Sequence, residues 1–411
     1  MPRHSLVWFN FIFLVVFIFS PSLYFSSFVR YSLPFVYSLG NLLLGLRLSV
    51  SIKSIYFYCI YYSAFLFSAI NASINGFRFP LIYGFFILTL PIMLHYVLSF
   101  TLFFRAQQVS NLLVQKLSLL LITAYYIVFY SSLSQLWQMK VFTETEYGFG
   151  DIYSFQSVIT ELSLMGSNGI SLWVSSSSFT VILFNYLFLN RFKINSFFRF
   201  FIPLASTSTC LTSTFIAITY NSRSQIASSI WLLAISIVFL VKPLIPRKFL
   251  HTSFTLLLPA ALTAFVSYLF TSDSLSSNQV ITNLLEKEST GDSRLSAISV
   301  FVEKLLFTFN GWFGYGFDTQ PLNELVGILP HNTFIYLGLC FGLIGFTSIF
   351  VFLSFLFIKN IALLRLQALL FLLASVLYIG FICFITHNFL LYFYTLCALV
   401  FFLNFHQKRF Y

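Results

Sequence analysis

Apolar runs about as long as a membrane is thick recur along this 411-residue chain, separated mostly by short polar gaps. A helix needs about 20 predominantly apolar residues to cross a hydrocarbon core of ~30 Å, and inside that core every backbone N–H and C=O must find its partner within the protein. A chain with many such runs is therefore restricted to a bundle of spanning helices. Twelve runs qualify: 6–25, 33–50, 54–70, 78–103, 111–135, 172–190, 198–219, 226–241, 248–270, 332–358, 361–384 and 387–405. With 59% hydrophobic residues, 57 Phe and only 8% charged residues, the chain lacks the polar side chains that would coat a soluble globule. It is read as an all-α polytopic membrane protein of about 12 transmembrane helices. The first run follows Arg3, but no small-residue cleavage site follows Pro21, so it is read as a retained span.

Loop charge orients the bundle, because Lys and Arg collect on the cytoplasmic side. In a twelve-span order, Arg47 with Lys53, Arg191 with Lys193, Lys242 with Arg247 and Lys248, Lys359 with Arg365, and Lys408 with Arg409 share one face, which puts both termini in the cytoplasm. All 11 Asp and Glu residues fall in two segments of the opposite face, 136–171 and 271–331. The expected organisation is N-terminal helices over 1–135, an outer loop over 136–171, helices over 172–270, a large periplasmic loop over 271–331 and C-terminal helices over 332–411. The net charge of +11 is spread over short cytoplasmic loops with no aromatic-interleaved basic patch, so no nucleic-acid partner is implied. Cys59, Cys210, Cys340, Cys383 and Cys397 all fall inside spans, offering the outer loops neither a disulfide framework nor zinc spacing.

Polar and ionisable groups against a bilayer are costly, which directs attention to the outer segments. In 271–331, Asp292 or Ser293 caps a helix with Arg294 in its first turn and Leu295, Ile298, Val302 and Leu305 along one apolar side, as in an amphipathic helix lying on the membrane. Gly311, Gly314 and Gly316 then punctuate the stretch GWFGYGF, where bare backbone can approach a ligand; taken alone, they only let the loop turn back. No complete G-x-G-x-x-G or preceding strand makes this a nucleotide fingerprint. Pro330, His331 and Asn332 close the segment at the mouth of the tenth run, and Asn332 also suits a plain helix cap. His387 and Asn388 repeat that pair before the last run. Asn221 or Ser222 caps the eighth run and sets Arg223 beside a helix N-terminus, whose unpaired N–H groups attract anions; an isolated Arg there reads as a snorkelling interfacial residue. Two guanidinium forks and one imidazole at the same face suit transfer from a lipid-linked diphosphate, with Arg223 and Arg294 neutralising the departing pyrophosphate and His331 orienting or deprotonating an attacking hydroxyl.

These residues carry a resemblance. NSRS around Arg223, GDSR ending at Arg294, GWFGYGF and PHNTFIYLGLCFGLIG, in that order and spacing, resemble the O-antigen ligase and O-antigen polymerase superfamily of bacterial membrane glycosyltransferases. The likeness covers about 198–358; the rest of the chain matches only as a series of spans, and Ser224 stands where many relatives have Gly. It implies a GT-C-related helical fold in the bacterial inner (cytoplasmic) membrane, moving a glycan from an undecaprenyl-diphosphate-linked donor to a glycan or lipid A core acceptor without metal, cofactor or nucleotide sugar. On that resemblance Arg223 and Arg294 contact the diphosphate and His331 serves the acceptor. Ser222, Gly314, Gly316 and Asn332 are the expected substrate-binding positions beside them.

The residues themselves point the same way. Asp151, Asp273, Asp292 and Asp318 form no D-x-D cradle for a metal–nucleotide-sugar complex, and Glu144 and Glu146 beside Asp151 read as a solvated loop face. The rival is a secondary transporter or lipid-linked sugar flippase, whose broken helices and intramembrane charges bind substrate at the midplane. Here the acids avoid the spans, and the sequence offers no matching pair of Gly/Pro-interrupted segments in its two halves.

Overall fold

The computed structural model describes residues 2–23, 27–48, 51–76, 81–106, 111–138, 152–156, 161–191, 194–219, 223–245, 302–304, 306–316, 332–361, 364–385 and 389–406. Helices α1 Pro2–Leu23, α2 Ser27–Leu43, α3 Ile52–Ile74, α4 Leu81–Ala106 and α5 Asn111–Gln138 come first. An antiparallel ribbon follows, β1 Ile152–Gln156 against β2 Glu161–Met165 with Ile152 opposite Met165, a short departure from the all-helical expectation. Then come α6 Gly166–Arg191, α7 Ser196–Thr219 and α8 Arg223–Ser236, which continues through a π turn at Ile237–Val241 and a 3-10 turn at Lys242–Leu244. The short α9 Phe309–Phe313 precedes α10 Thr333–Ile361, α11 Leu366–Ile385 and α12 Phe389–His406.

Among the described residues, 8 helices are long and apolar enough to cross a membrane: those over Ser5–Leu23, Ser54–Ile74, Gly84–Thr101, Gly169–Asn190, Ser196–Ile218, Ser224–Leu244, Thr333–Val351 and Leu366–Phe384. Shorter apolar stretches run over Leu119–Ser131 in α5 and Leu390–Asn404 in α12. The expected run at 248–270 lies outside the described residues. The second run is displaced. It was expected over 33–50, but α2 begins at Ser27 and closes in a Schellman turn, with Gly45 N–H donating to Leu42 O at 3.0 Å and Leu46 N–H to Asn41 O at 2.9 Å.

α6 is the axis of the bundle. Its stretch SLWVSSSSFT is small and polar, and Ser171, Ser175, Ser176, Ser177, Ser178 and Thr180 are all buried, which lets α1, α7 and α8 approach closely. α12 runs beside α1 and α4, α2 beside α4, and α10 beside α3. The outward faces are as apolar as the inward ones, with Phe197, Phe200, Leu211 and Phe215 of α7 and Leu366, Leu373 and Leu377 of α11 exposed. Such a surface is stable only against lipid.

Four of the described helices carry an internal proline, Pro203 of α7 among them, and in α1, α2 and α4 the bared carbonyl is served from a neighbour. Proline has no N–H to give the carbonyl four residues back, and in hydrocarbon that carbonyl has no water to turn to. Pro21 bares Phe17 O, which accepts from Thr395 Oγ1 of α12 at 2.8 Å and from Ser20 Oγ at 2.7 Å. Pro34 bares Arg30 O, which accepts from the Tyr394 hydroxyl, also of α12. Pro91 bares Ile87 O, which accepts from the Tyr61 hydroxyl of α3 at 3.0 Å, while Tyr62 of α3 donates to Leu88 O at 2.9 Å.

Tyr61→Phe leaves Ile87 O without a donor and is expected to destabilise the protein by about 1–3 kcal/mol. In a Pro91→Ala background the restored N–H reclaims that carbonyl, so the same substitution costs less. Thermal unfolding in detergent reads the difference; equal losses in both backgrounds would remove the repair role from Tyr61.

Candidate functional site

α8 begins at Arg223 and α10 follows Asn332, and the first turns of both lie against α11, α8 by way of a buried hydroxyl cluster. Two residues past Arg223, the buried Gln225 accepts through Oε1 from Ser228 Oγ at 3.1 Å. Ser228 meets Ser175 of α6 at 3.2 Å, and Ser175 meets the Tyr378 hydroxyl of α11 at 2.8 Å. Tyr378 packs edge-on to Tyr392 of α12 with ring centroids 6.1 Å apart, and the Tyr392 hydroxyl lies 2.5 Å from Ser176 Oγ. Near Tyr392, Cys383 of α11 is in hydrogen-bonding contact with Thr333, the first residue of α10. The N-terminal turns of α6, α8, α10 and α12 and the C-terminal turns of α11 are thereby fixed at one end of the bundle. Ser171, at the same end of α6, is buried with its hydroxyl unpaired among the described residues.

The expected site residues divide. Arg223 is placed as the first residue of α8, with nothing described of its side chain; Ser222, Arg294 and His331, together with His387, lie outside the described residues. Asn332 is 8% exposed, and its Oδ1 accepts from Phe334 N–H at 2.9 Å and Ile335 N–H at 3.2 Å. It therefore serves as the cap of α10, with its acceptor oxygen committed to backbone.

Gly314 and Gly316 do make a close backbone approach, but the surface they meet is α10. At Gly342, in the centre of its apolar window, α10 breaks with φ 69° and ψ 175°. Tyr315 N–H donates to Leu339 O at 2.8 Å and Gly316 N–H to Cys340 O at 3.2 Å, so extended backbone fills the break. A Cβ on Gly314, at φ 94°, would lie 2.4 Å from Cys340 O, and one on Gly342 would lie 2.4 Å from Gly314 N. Only hydrogen fits between these backbones. α3 completes the arrangement, with Ser68 Oγ donating to Phe341 O at 2.8 Å and Asn71 Nδ2 to Gly314 O at 2.7 Å. Asn75 Nδ2 donates to Asn71 O at 2.7 Å and to Asn310 Oδ1 at 3.2 Å. Thr308 caps α9 by accepting from Gly311 N–H at 3.0 Å, and Phe309, Phe313 and Phe67 continue the contact outward as neighbouring rings.

Sequence reasoning missed Ser68, Asn71 and Asn75, although their spacing of three and four residues makes one polar stripe on an otherwise apolar helix. It also missed His95 inside α4, which is buried, stacks on Tyr58 with centroids 5.3 Å apart and holds the Tyr58 hydroxyl 2.5 Å from Nδ1. An ionisable residue within a span is itself the signal.

The fold and its apolar surface define a helical membrane protein. Comparison with family models, with curated proteins and with solved structures gave no match.

If Asn332 acts through its cap, Asn332→Asp or Asn332→Ser retains stability while Asn332→Ala loses about 0.5–2 kcal/mol. Thermal melts of the three variants separate this from a ligand contact, which would leave the melting temperature of the unliganded protein unchanged by Asn332→Ala.

Proposed function

We propose that the chain is a metal-independent, inverting glycosyltransferase of the O-antigen ligase or polymerase kind, a twelve-span GT-C-related protein of the bacterial inner membrane with both termini cytoplasmic. It moves a glycan from undecaprenyl diphosphate to a sugar hydroxyl on the outer face, the acceptor being either a lipid-linked repeat or the lipid A core. The observation that carries this reading is that α8 and α10 both start against α11, α8 through the hydroxyl cluster that includes Tyr378 and α10 through Thr333 on Cys383, which puts the backbone of Arg223 and the residue next to His331 at the same end of the bundle.

The chemistry follows from the residue types. The acceptor oxygen forms its bond to the anomeric carbon as the bond from that carbon to the diphosphate oxygen breaks on the opposite side. His331 takes the hydroxyl proton, and Arg223 and Arg294 offset the charge gathering on the departing diphosphate. Guanidinium suits that task because it stays protonated and matches two phosphate oxygens at once. Gly314 and Gly316 then contribute by holding backbone against α10, and Asn332 by capping the helix beside His331.

A second reading, a transporter or flippase for a lipid-linked sugar, draws support from the break at Gly342, because discontinuous helices at mid-span are typical transporter sites. The two differ in what accumulates. Deletion in the native host followed by gel analysis of the surface glycan should collapse a ladder to one repeat for a polymerase, or leave bare anchor with polymer on undecaprenyl diphosphate for a ligase. Transport predicts loss of the glycan with lipid-linked units retained on the cytoplasmic leaflet.

Replacing Arg223 or Arg294 by Lys, or His331 by Ala, is expected to lower transfer by about 10²–10³, equivalent to ~2.7–4 kcal/mol, with the protein still inserted. Normal glycan in His331→Ala with none in His387→Ala moves the acceptor role to the second pair. A reporter fused after Asn310 should read outside and one at Lys242 inside; the reverse pattern sinks the mechanism.

A further inference from the structure

We infer that α10 is a two-state element, broken at Gly342 while residues 314–316 are seated in it and continuous when they withdraw. The inference rests on hydrogen-bond bookkeeping that closes in both states, and it holds for either reading of function.

In the observed state the first half of α10 ends at the break and leaves terminal carbonyls that its own helix does not serve. Tyr315 N–H serves Leu339 O, Gly316 N–H serves Cys340 O and Ser68 Oγ serves Phe341 O, so three carbonyls in the middle of an apolar helix obtain donors from two other segments. The conformation at Gly342, φ 69° and ψ 175°, is open essentially to glycine alone. Glycine is equally able to enter the right-handed helical region. If Gly342 does so, Leu339 O, Cys340 O and Phe341 O come into register with the N–H groups of Leu343, Ile344 and Gly345, four residues on, and need no outside donor. Neither state strands these carbonyls in hydrocarbon. Intermediate positions do strand them, which is the condition for two discrete arrangements rather than a continuous flexing.

What tips the balance toward the broken state lies on α3. Asn71 holds Gly314 O at 2.7 Å, Ser68 holds Phe341 O, and Asn75 reaches Asn310, so one polar stripe grips both the inserted backbone and the edge of the break. The two backbones are packed to the limit, since either Cβ would lie 2.4 Å from a backbone atom opposite. The half-helix above the break carries Asn332 as its cap, so straightening α10 redirects the turn beside His331. Asn71 is thus a positioning residue for the end of α10, whose Thr333 also contacts Cys383 of α11.

The test uses Asn75→Cys with Asn310→Cys in full-length protein carrying Cys59→Ser, in native membranes, with a short bifunctional thiol reagent. Seated backbone brings the two cysteines together, so efficient cross-linking is expected. Adding Gly342→Ala favours the continuous helix and drives its Cβ into Gly314, and the cross-link should be largely lost. A Ser213→Cys/Ser229→Cys pair between α7 and α8, whose hydroxyls lie 2.9 Å apart, should still cross-link in the Gly342→Ala protein if the bundle is intact. Retention of the 75–310 cross-link with Gly342→Ala overturns the proposal. Should Gly342→Ala abolish both cross-links, Asn71→Ala decides, because it removes one grip without altering α10: a reduced 75–310 cross-link with 213–229 intact supports two states, and an unchanged one overturns them.

Discussion

A backbone carbonyl in hydrocarbon has nothing to bond to except the protein, and the bundle is organised around carbonyls that helices fail to serve. Pro21, Pro34 and Pro91 each expose one, and Gly342 exposes a group of them. In these four places the missing donor arrives from another segment: Thr395 and Tyr394 of α12, Tyr61 of α3, and for the break in α10 the backbone of Tyr315 and Gly316 with Ser68. Each repair fixes the register of two elements at a point where neither is regular. Lipid supplies no hydrophobic drive between helices, so such polar ties, with close packing, decide which helices are neighbours.

Further polar ties run through α12 and α6. α12 serves α1 and α2 through consecutive residues, Thr395 and Tyr394, and reaches α6 through Tyr392. α6 answers with small hydroxyl side chains that bond to α7, α8, α11 and α12, as in Ser178 donating to Thr209 O at 3.0 Å. The hydroxyl cluster is therefore both packing and alignment. It ties the start of α8 to α11, the helix that Thr333 at the start of α10 also contacts.

The break in α10 changes how the glycine-rich stretch is understood. GWFGYGF reads in sequence as a loop whose bare backbone can approach a ligand, and close approach is indeed what the glycines provide. The surface approached is another stretch of glycine-bearing backbone, Cys340 to Gly342. In the observed state residues 308–316 are thereby held against α3 and α10.

The sequence by itself determined that this is a bundle of apolar helices and where most of them lie, because the length of a run and the lack of water act on each segment separately. It also showed where Arg223 and Asn332 fall relative to helix starts, since capping is local. The end of α2 escaped it, because a Schellman turn at Gly45 interrupts an apolar run that hydropathy reads as continuous. Tertiary structure alone decided that Gly314 meets Gly342, that the stripe Ser68–Asn71–Asn75 grips residues 310–314 and the edge of the break, and that Tyr378 and Tyr392 tie α11 and α12 to α6. These are pairings between segments tens to hundreds of residues apart. A sequence names the groups able to pair, but only the packed bundle selects which donor reaches which bared carbonyl.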